Sequence, residues 1–257
     1  MNGVFPNQIE GRTALVTGAG NRLGRAVSQA LAVAGTRVVL VGRRRETREE
    51  TAEGLDNARV AVADTSDPAA VKALRTELSD EDISILINNA GVAGPVASLV
   101  GINSNDWDDV FAVNVRGVFL MCQAFLPAMT AAGRGDVINI ASVSGKRPLA
   151  RRTPYTASKM AVLGLTTTLA YEVGPWGVNV NSLSPGPVRG PRMERNLRLE
   201  AAKTGVSVDD AEQTFVSMAA LQRMVEESEV AQAVLAMLHM PGMTAADVDL
   251  SAGMAAR

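Results

Sequence analysis

Short apolar runs recur along the chain, separated by longer stretches in which apolar side chains return every third or fourth position. The runs near 13–17, 37–41, 59–63, 84–88, 136–140, 178–182 and 247–250 are too brief for helices and predict buried strands. Helical spacing fills the intervals. After Gly24, the residues Ala26, Val27, Ala30, Leu31 and Ala34 line one face and Gly35 ends the run. Trp107, Val110, Phe111, Asn114, Val118, Met121 and Phe125 form a second stripe, and Tyr155, Lys159, Val162, Thr166, Leu169 and Val173 a third. Such alternation predicts an α/β fold with a doubly wound parallel sheet of about seven strands and helices on both faces. Residues 1–257 read as one domain, without repeat or low-complexity linker. Only the stretch from about 189 to 225 breaks the rhythm, with two short helices ending near Met224.

Two of the stripes carry polar residues where apolar ones belong. Asn114 falls among core positions, and a buried amide needs hydrogen-bond partners. Lys159 heads a stripe that turns apolar beyond its first turn, so its ammonium needs a cleft or a partner. Thr153 suits an N-cap and Pro154 a first helical position, which puts Tyr155 and Lys159 four residues apart on one face of a starting helix. An ammonium beside a phenol favours the phenolate, which fits the pair for proton transfer. Ser142 closes the strand before this helix and can hydrogen-bond the oxygen that the tyrosine protonates.

At the other end, the strand Thr13–Thr17 runs into Gly18-Ala-Gly20-Asn-Arg-Leu-Gly24 and then a helix. A strand, a glycine turn and a helix N-terminus together make a pyrophosphate site, because free amide N–H groups and the helix dipole face the anion. The second strand ends in Gly42-Arg43-Arg44-Arg45. An acid there would accept the ribose hydroxyls of NAD. With none at the tip, Arg43, aided by Arg22, can grip a 2′-phosphate, so NADP(H) is favoured over NAD(H).

In order and spacing, Thr17-Gly18-x-x-x-x-x-Gly24, Asp64, Asn88-Asn89-Ala90-Gly91, Asn114, Ser142, Tyr155-x-x-x-Lys159 and Pro185-Gly186 resemble the short-chain dehydrogenase/reductases along the whole chain. The resemblance implies a Rossmann-like fold and an NAD(P)(H)-dependent oxidoreductase that moves hydride between nicotinamide and a carbonyl or secondary alcohol. Its catalytic set would be Asn114, Ser142, Tyr155 and Lys159, with Tyr155 as general acid or base and Asn114 holding a water in the proton relay. Its cofactor contacts would come from Gly18, Asn21, Arg22, Leu23 and Gly24, from Arg43, Asp64 and Thr65, and from Asn89, Ala90 and Gly91. Tyr155, Lys159, Pro185, Gly186 and Val188 would complete them. It also implies a homo-oligomer, tetramer or dimer, and a substrate lid at about 189–225.

The chain departs from the family's pattern twice. Arg22 stands where the middle glycine of the turn is usual, as in pteridine reductases, and Gly190 stands where threonine is common. A noncatalytic dinucleotide-binding or sensor protein is the alternative reading, because fold does not fix function. A pure binder has no need for Ser142, Tyr155 and Lys159 together, so the enzyme is preferred. Sugar or polyol, 3-oxoacyl and small hydroxy-acid or diol substrates all suit the framework. Lys146, Arg147, Arg151, Arg152, Arg189 and Arg192 flank the catalytic residues against one acid, Glu172. They either face an anionic substrate or serve subunit contacts, cofactor phosphates and solvation.

Composition narrows the partners. A net charge of −2, two Trp and two Tyr do not make a nucleic-acid binder. Cys122 is the only cysteine and His239 the only histidine, so neither an internal disulfide nor a transition-metal site is expected. The first strand opens at Thr13 with no signal-peptide pattern before it, and no uninterrupted apolar stretch approaches the roughly 20 residues of a membrane span. A soluble, cytoplasmic protein with no membrane partner is expected.

Overall fold

Seven predicted runs become seven strands in the computed structural model, which describes residues 9–255. They are β1 (Thr13–Thr17), β2 (Arg37–Gly42), β3 (Ala58–Val62), β4 (Ile83–Asn88), β5 (Gly135–Ile140), β6 (Val178–Pro185) and β7 (Asp247–Leu250). All pair in parallel, in the order β3-β2-β1-β4-β5-β6-β7. The central strands are buried along their whole length because helices cover both faces of the sheet. The chain winds outward from β1 to β3 and then crosses back to β4. The β1/β4 boundary is therefore the switch point, and the crevice at the carboxyl ends of the strands opens there.

The helices are α1 (Arg22–Val33), α2 (Arg45–Ala52), α3 (Pro68–Glu77), α4 (Ser104–Phe111), α5 (Gly117–Ala132), α6 (Thr153–Val173), α7 (Pro191–Thr204), α8 (Val208–Val216) and α9 (Glu227–Leu238). On one face, Met121 and Phe125 of α5 and Val162 and Ala170 of α6 pack with Leu15, Val39, Leu86 and Val137 of the sheet. On the other, Val27 and Leu31 of α1 and Val230, Val234 and Leu238 of α9 pack with Val16, Leu40, Ile85 and Ile138. The α1, α5 and α6 residues belong to the stripes read from the sequence.

Three details depart from the predicted pattern. Helix α6 begins at Thr153, with Arg152 in the flanking position and no side-chain cap, so the expected threonine cap is not formed and Pro154 lies within the first turn. Helices α4 and α5 form one continuous run through a π-turn at Ala112–Arg116, where the extra residue shifts the stripe. That run, Ser104–Ala132, has the length and mean apolarity of a membrane span, although polar residues such as Asn114, Arg116 and Gln123 interrupt it, and half of its most apolar window is buried. Met121, Phe125 and Met129 pack into the sheet core, as in the core helix of a globular domain.

Candidate active site

The carboxyl ends of β1, β4, β5 and β6 bring the predicted residues to one crevice. Gly18 has φ 66, and α1 follows directly with its first amides unpaired within the helix. A Cβ on Gly24 would collide with the carbonyl oxygen of Gly18, so the helix can start this close to the turn only with glycine there. The turn is braced from β4. Asn89 Nδ2 donates to the Thr17 and Gly18 carbonyls at 2.9 and 3.3 Å, while the Asn89 and Ala90 amides both donate to Thr17 Oγ1 at 3.0 Å. Asn21 and Leu23 flank Arg22 at the start of α1. A glycine cradle at a helix N-terminus, braced by these hydrogen bonds, fits a dinucleotide diphosphate.

At the adenosine end the tip of β2 carries no acid, and exposed Arg43 has no ion pair among the described residues. Asp64, after β3, accepts from the Ser66 amide at 2.9 Å and the Ser66 hydroxyl at 2.7 Å. Burial pushes its carboxyl up, but these bonds, with Arg43 and Arg116 nearby, outweigh that and hold it below its ordinary value. Thr65 is buried beside it. Arg48, which sequence reasoning missed, is 3% exposed on α2, and its Nε and one terminal nitrogen have no hydrogen-bond partner among the described residues. Its guanidinium fills the space that a side chain at Gly42 would take. Burial lowers its pKa, with Glu46 opposing and Arg44 and Arg45 adding to the fall. No pattern in the sequence separates it from its solvated neighbours.

The chemistry-bearing side chains meet where α6 passes β5 and the π-turn. Lys159 is 5% exposed and donates to the Ile140 carbonyl at 2.7 Å, with Nζ 5.9 Å from the centre of the Tyr155 ring. Ser142 lies just beyond the end of β5, and its hydroxyl accepts from the Ser144 amide at 3.1 Å. The Val143–Gly145 turn then packs on the α6 backbone at Lys159 and Met160, where a Cβ built on Gly145 would stand 3.1 Å from the Lys159 carbonyl carbon. Asn114 is fully buried in the π-turn. Its Oδ1 accepts from the Val92 amide at 2.7 Å, and its Nδ2 donates to the Val92 carbonyl at 2.9 Å and Ser158 Oγ at 3.0 Å. Ser158 in turn donates to the Tyr155 carbonyl at 2.7 Å. A Cβ built on Gly91 would stand 3.3 Å from Asn114 Oδ1 and 3.6 Å from Lys159 Nζ, so Gly91 marks where the three elements converge. On the far side of the crevice, Gly186 donates its amide to the Leu250 carbonyl at 2.8 Å, and Val188 bridges to Val225. Pro185 ends β6 beside them.

Similarity to known proteins follows the same residues. The short chain dehydrogenase family model matches residues 12–202. The chain belongs to the short-chain dehydrogenases. It is 38% identical over 187 residues to a D-threitol dehydrogenase of Mycolicibacterium smegmatis, covering 70% of this chain and 72% of that one. Its structure is similar to that of NAD+-bound xylitol dehydrogenase, with a TM-score of 0.89 and 29% identity over 96% of this chain and 100% of the other. It is also similar to a single-residue variant of actinorhodin polyketide ketoreductase with NADPH, with a TM-score of 0.88 and 29% identity over 95% and 97%. The chain is thus an NAD(P)-dependent oxidoreductase of this family on a Rossmann-like fold.

The sequence left two roles open for the basic cluster, and the structure shows several of its members engaged within the chain. Lys146 is ion-paired to Asp247 and Asp249 of β7. Arg189 pairs with Glu212 at 2.6 Å and Glu226 at 3.1 Å, and the Glu212 bond raises its pKa. Arg151 and Arg152 donate to backbone carbonyls at Val96 and at Ala93 and Gly94. Arg147 reaches the Met218 sulfur at 3.6 Å. The Arg192 side chain lies outside the described residues. Arg22 likewise turns away from the β2 tip, donating to Glu227 at 3.0 Å and the Arg189 carbonyl at 3.3 Å, so it does not join Arg43.

Proposed function

We propose that this protein is an NADP(H)-preferring dehydrogenase or reductase that interconverts a secondary alcohol and a ketone on a neutral, hydroxylated substrate. The convergence of buried Lys159, Tyr155, Ser142 and buried Asn114 carries the reading, because a protein that only bound the dinucleotide would need no phenol and hydroxyl gathered beside the buried ammonium. When bound, the nicotinamide supplies or takes the hydride. Tyr155 gives the proton to the forming alkoxide, or removes it in the other direction, and Ser142 hydrogen-bonds the same oxygen. Lys159, with Nζ 5.9 Å from the centre of the Tyr155 ring, would offset the charge of the phenoxide and would hold the nicotinamide ribose by a hydrogen bond. Asn114 completes a relay to solvent through a bound water, its side chain held in one orientation by Val92 and Ser158.

The cofactor preference rests on Arg43. It is a guanidinium without an ion pair among the described residues, at a strand tip without an acid, the position at which a 2′-phosphate is read. An uncharged substrate is supported by the ion pairs of Lys146 and Arg189, which compensate these two cations within the chain. D-threitol, xylitol and galactitol among the names of relatives point to polyols, and ketoacyl reductases give the second class to test. Residues 189–225 act as the substrate lid. Exposed Phe119, on a groove of about 480 Å³ between α5 and α6, together with exposed Met160 and Tyr171 of α6, suits a face buried against a second copy in a dimer or tetramer.

The test follows nicotinamide absorbance with NADP(H) and NAD(H) over polyols, their ketoses, neutral ketones and acidic analogues. NADP(H)-linked turnover of the neutral substrates is expected. Arg43→Ala should weaken NADP(H) binding by roughly 1.5–3 kcal/mol and NAD(H) binding hardly at all. Equal weakening of both cofactors would remove Arg43 from the phosphate site.

A further inference from the structure

We infer that Arg22 and Gly190 form one fitted contact, through which the phosphate turn fixes the base of the lid. The two positions at which the chain departs from its family's pattern are neighbours in space. Arg22 has φ 51, a conformation that costs an L-residue on the order of 1 kcal/mol and persists only where its surroundings over-determine it. What holds it is its own side chain. Nε is paired with Glu227 at the start of α9, and a terminal nitrogen donates to the Arg189 carbonyl.

Gly190 supplies the room. With φ 146 and ψ 177 it lies where side chains are strained, and a Cβ there would stand 2.8 Å from a terminal nitrogen of Arg22, 3.3 Å from Cζ and 3.4 Å from Nε. The guanidinium therefore occupies the volume beside Gly190 that a larger residue would use. Gly190 also opens α7, its carbonyl accepting from the Met193 and Glu194 amides at 2.9 and 3.1 Å. The Arg189 amide donates to Val225 at 2.8 Å. One side chain thus joins the first residue of α1, the first turn of the lid helix and the N-terminus of α9.

Arg22 is a positioning residue on this account. The turn that receives the diphosphate cannot shift without moving the base of the lid, so cofactor binding stiffens the lid before substrate arrives. The cofactor arm of the inference rests on the function proposed above, whereas the contact itself does not.

The test is a double-mutant cycle on the full chain with Arg22→Gly, Gly190→Thr and both together. It is read by melting temperature, by tryptic cleavage in the lid at Arg195, Arg198 and Lys203, and by nicotinamide cofactor titration. Gly190→Thr alone should weaken the cofactor by about tenfold and speed lid cleavage, and adding Arg22→Gly should bring both to within about threefold of Arg22→Gly alone. Arg22→Lys, which keeps the charge for Glu227, should restore lid protection that Arg22→Gly loses. Effects that multiply independently in the double variant overturn the inference, as does a lid whose cleavage neither single change alters.

If Gly190→Thr does not fold, Arg22→Gly and Glu227→Gln decide. Each should expose the lid equally and their combination no further, and independent effects again overturn the inference. A wild-type protein that binds neither cofactor would sink the proposed function, while melting and cleavage would still report on the contact.

Discussion

Arg48 and Cys122 show how differently burial acts on two side chains of one molecule. The Cys122 thiol, 4% exposed on α5, is pushed up to about 12 by burial despite a hydrogen bond from Asn88, which leaves it an unreactive core residue. Arg48 keeps its charge and has no acid within ion-pair distance among the described residues. An uncompensated buried guanidinium destabilises its own domain, but it adds positive field beneath the tip of β2, where the 2′-phosphate would lie. Arg48→Met should therefore raise the melting temperature of the free protein by about 2–4 °C, equivalent to about 1 kcal/mol, while weakening NADP(H) more than NAD(H). Calorimetry with parallel cofactor titrations would settle it, and a less stable variant with unchanged cofactor preference would show that Arg48 only packs.

Helix α9 illustrates how an element's terminus is tied to what precedes it. Arg223 donates to both oxygens of Glu229 at 2.7 Å, and the Glu226 amide donates to the same carboxylate at 2.8 Å. The Arg223 bond, followed by the backbone one, holds the Glu229 carboxyl down to about 2 from 4.5. A depressed carboxyl stabilises above its ordinary pKa and loses that contribution as pH falls through its folded value. Glu229→Gln should thus lower the melting temperature near neutral pH, and the gap from wild type should close as pH falls from 4.5 toward about 2. A gap that persists to the acid end would mean that Glu229 acts through packing.

The same scale shows what could be read from the chain. The strands stood out as short β-rich runs, most clearly β1, β4 and β5, which are buried along their whole length, and Asn114, Tyr155 and Lys159 stood out as polar residues in apolar helical stripes. The π-turn around Asn114 did not, because one extra residue leaves no mark on composition. Nor did the partners of Lys146 and Arg189, since their acids lie in β7, α8 and the start of α9, and long-range pairing has no local periodicity. Arg22 was visible as a misplaced residue, but its contact with Gly190 needed the third dimension.

At the scale of the whole molecule, the sheet's carboxyl edge gathers residues from β1, β4, β5, β6 and α6 into one crevice, and the outer α5–α6 face remains apolar. Light scattering should find a dimer or tetramer, and Phe119→Lys with Tyr171→Lys should shift it toward monomer. A monomeric wild type would leave that face unexplained. The central claim is that Tyr155 moves the proton. The most direct measurement is steady-state turnover of Tyr155→Phe on the best substrate found for the wild type, alongside its cofactor dissociation constant. Turnover should fall at least about 100-fold with cofactor affinity nearly unchanged, whereas near-normal turnover would contradict the mechanism.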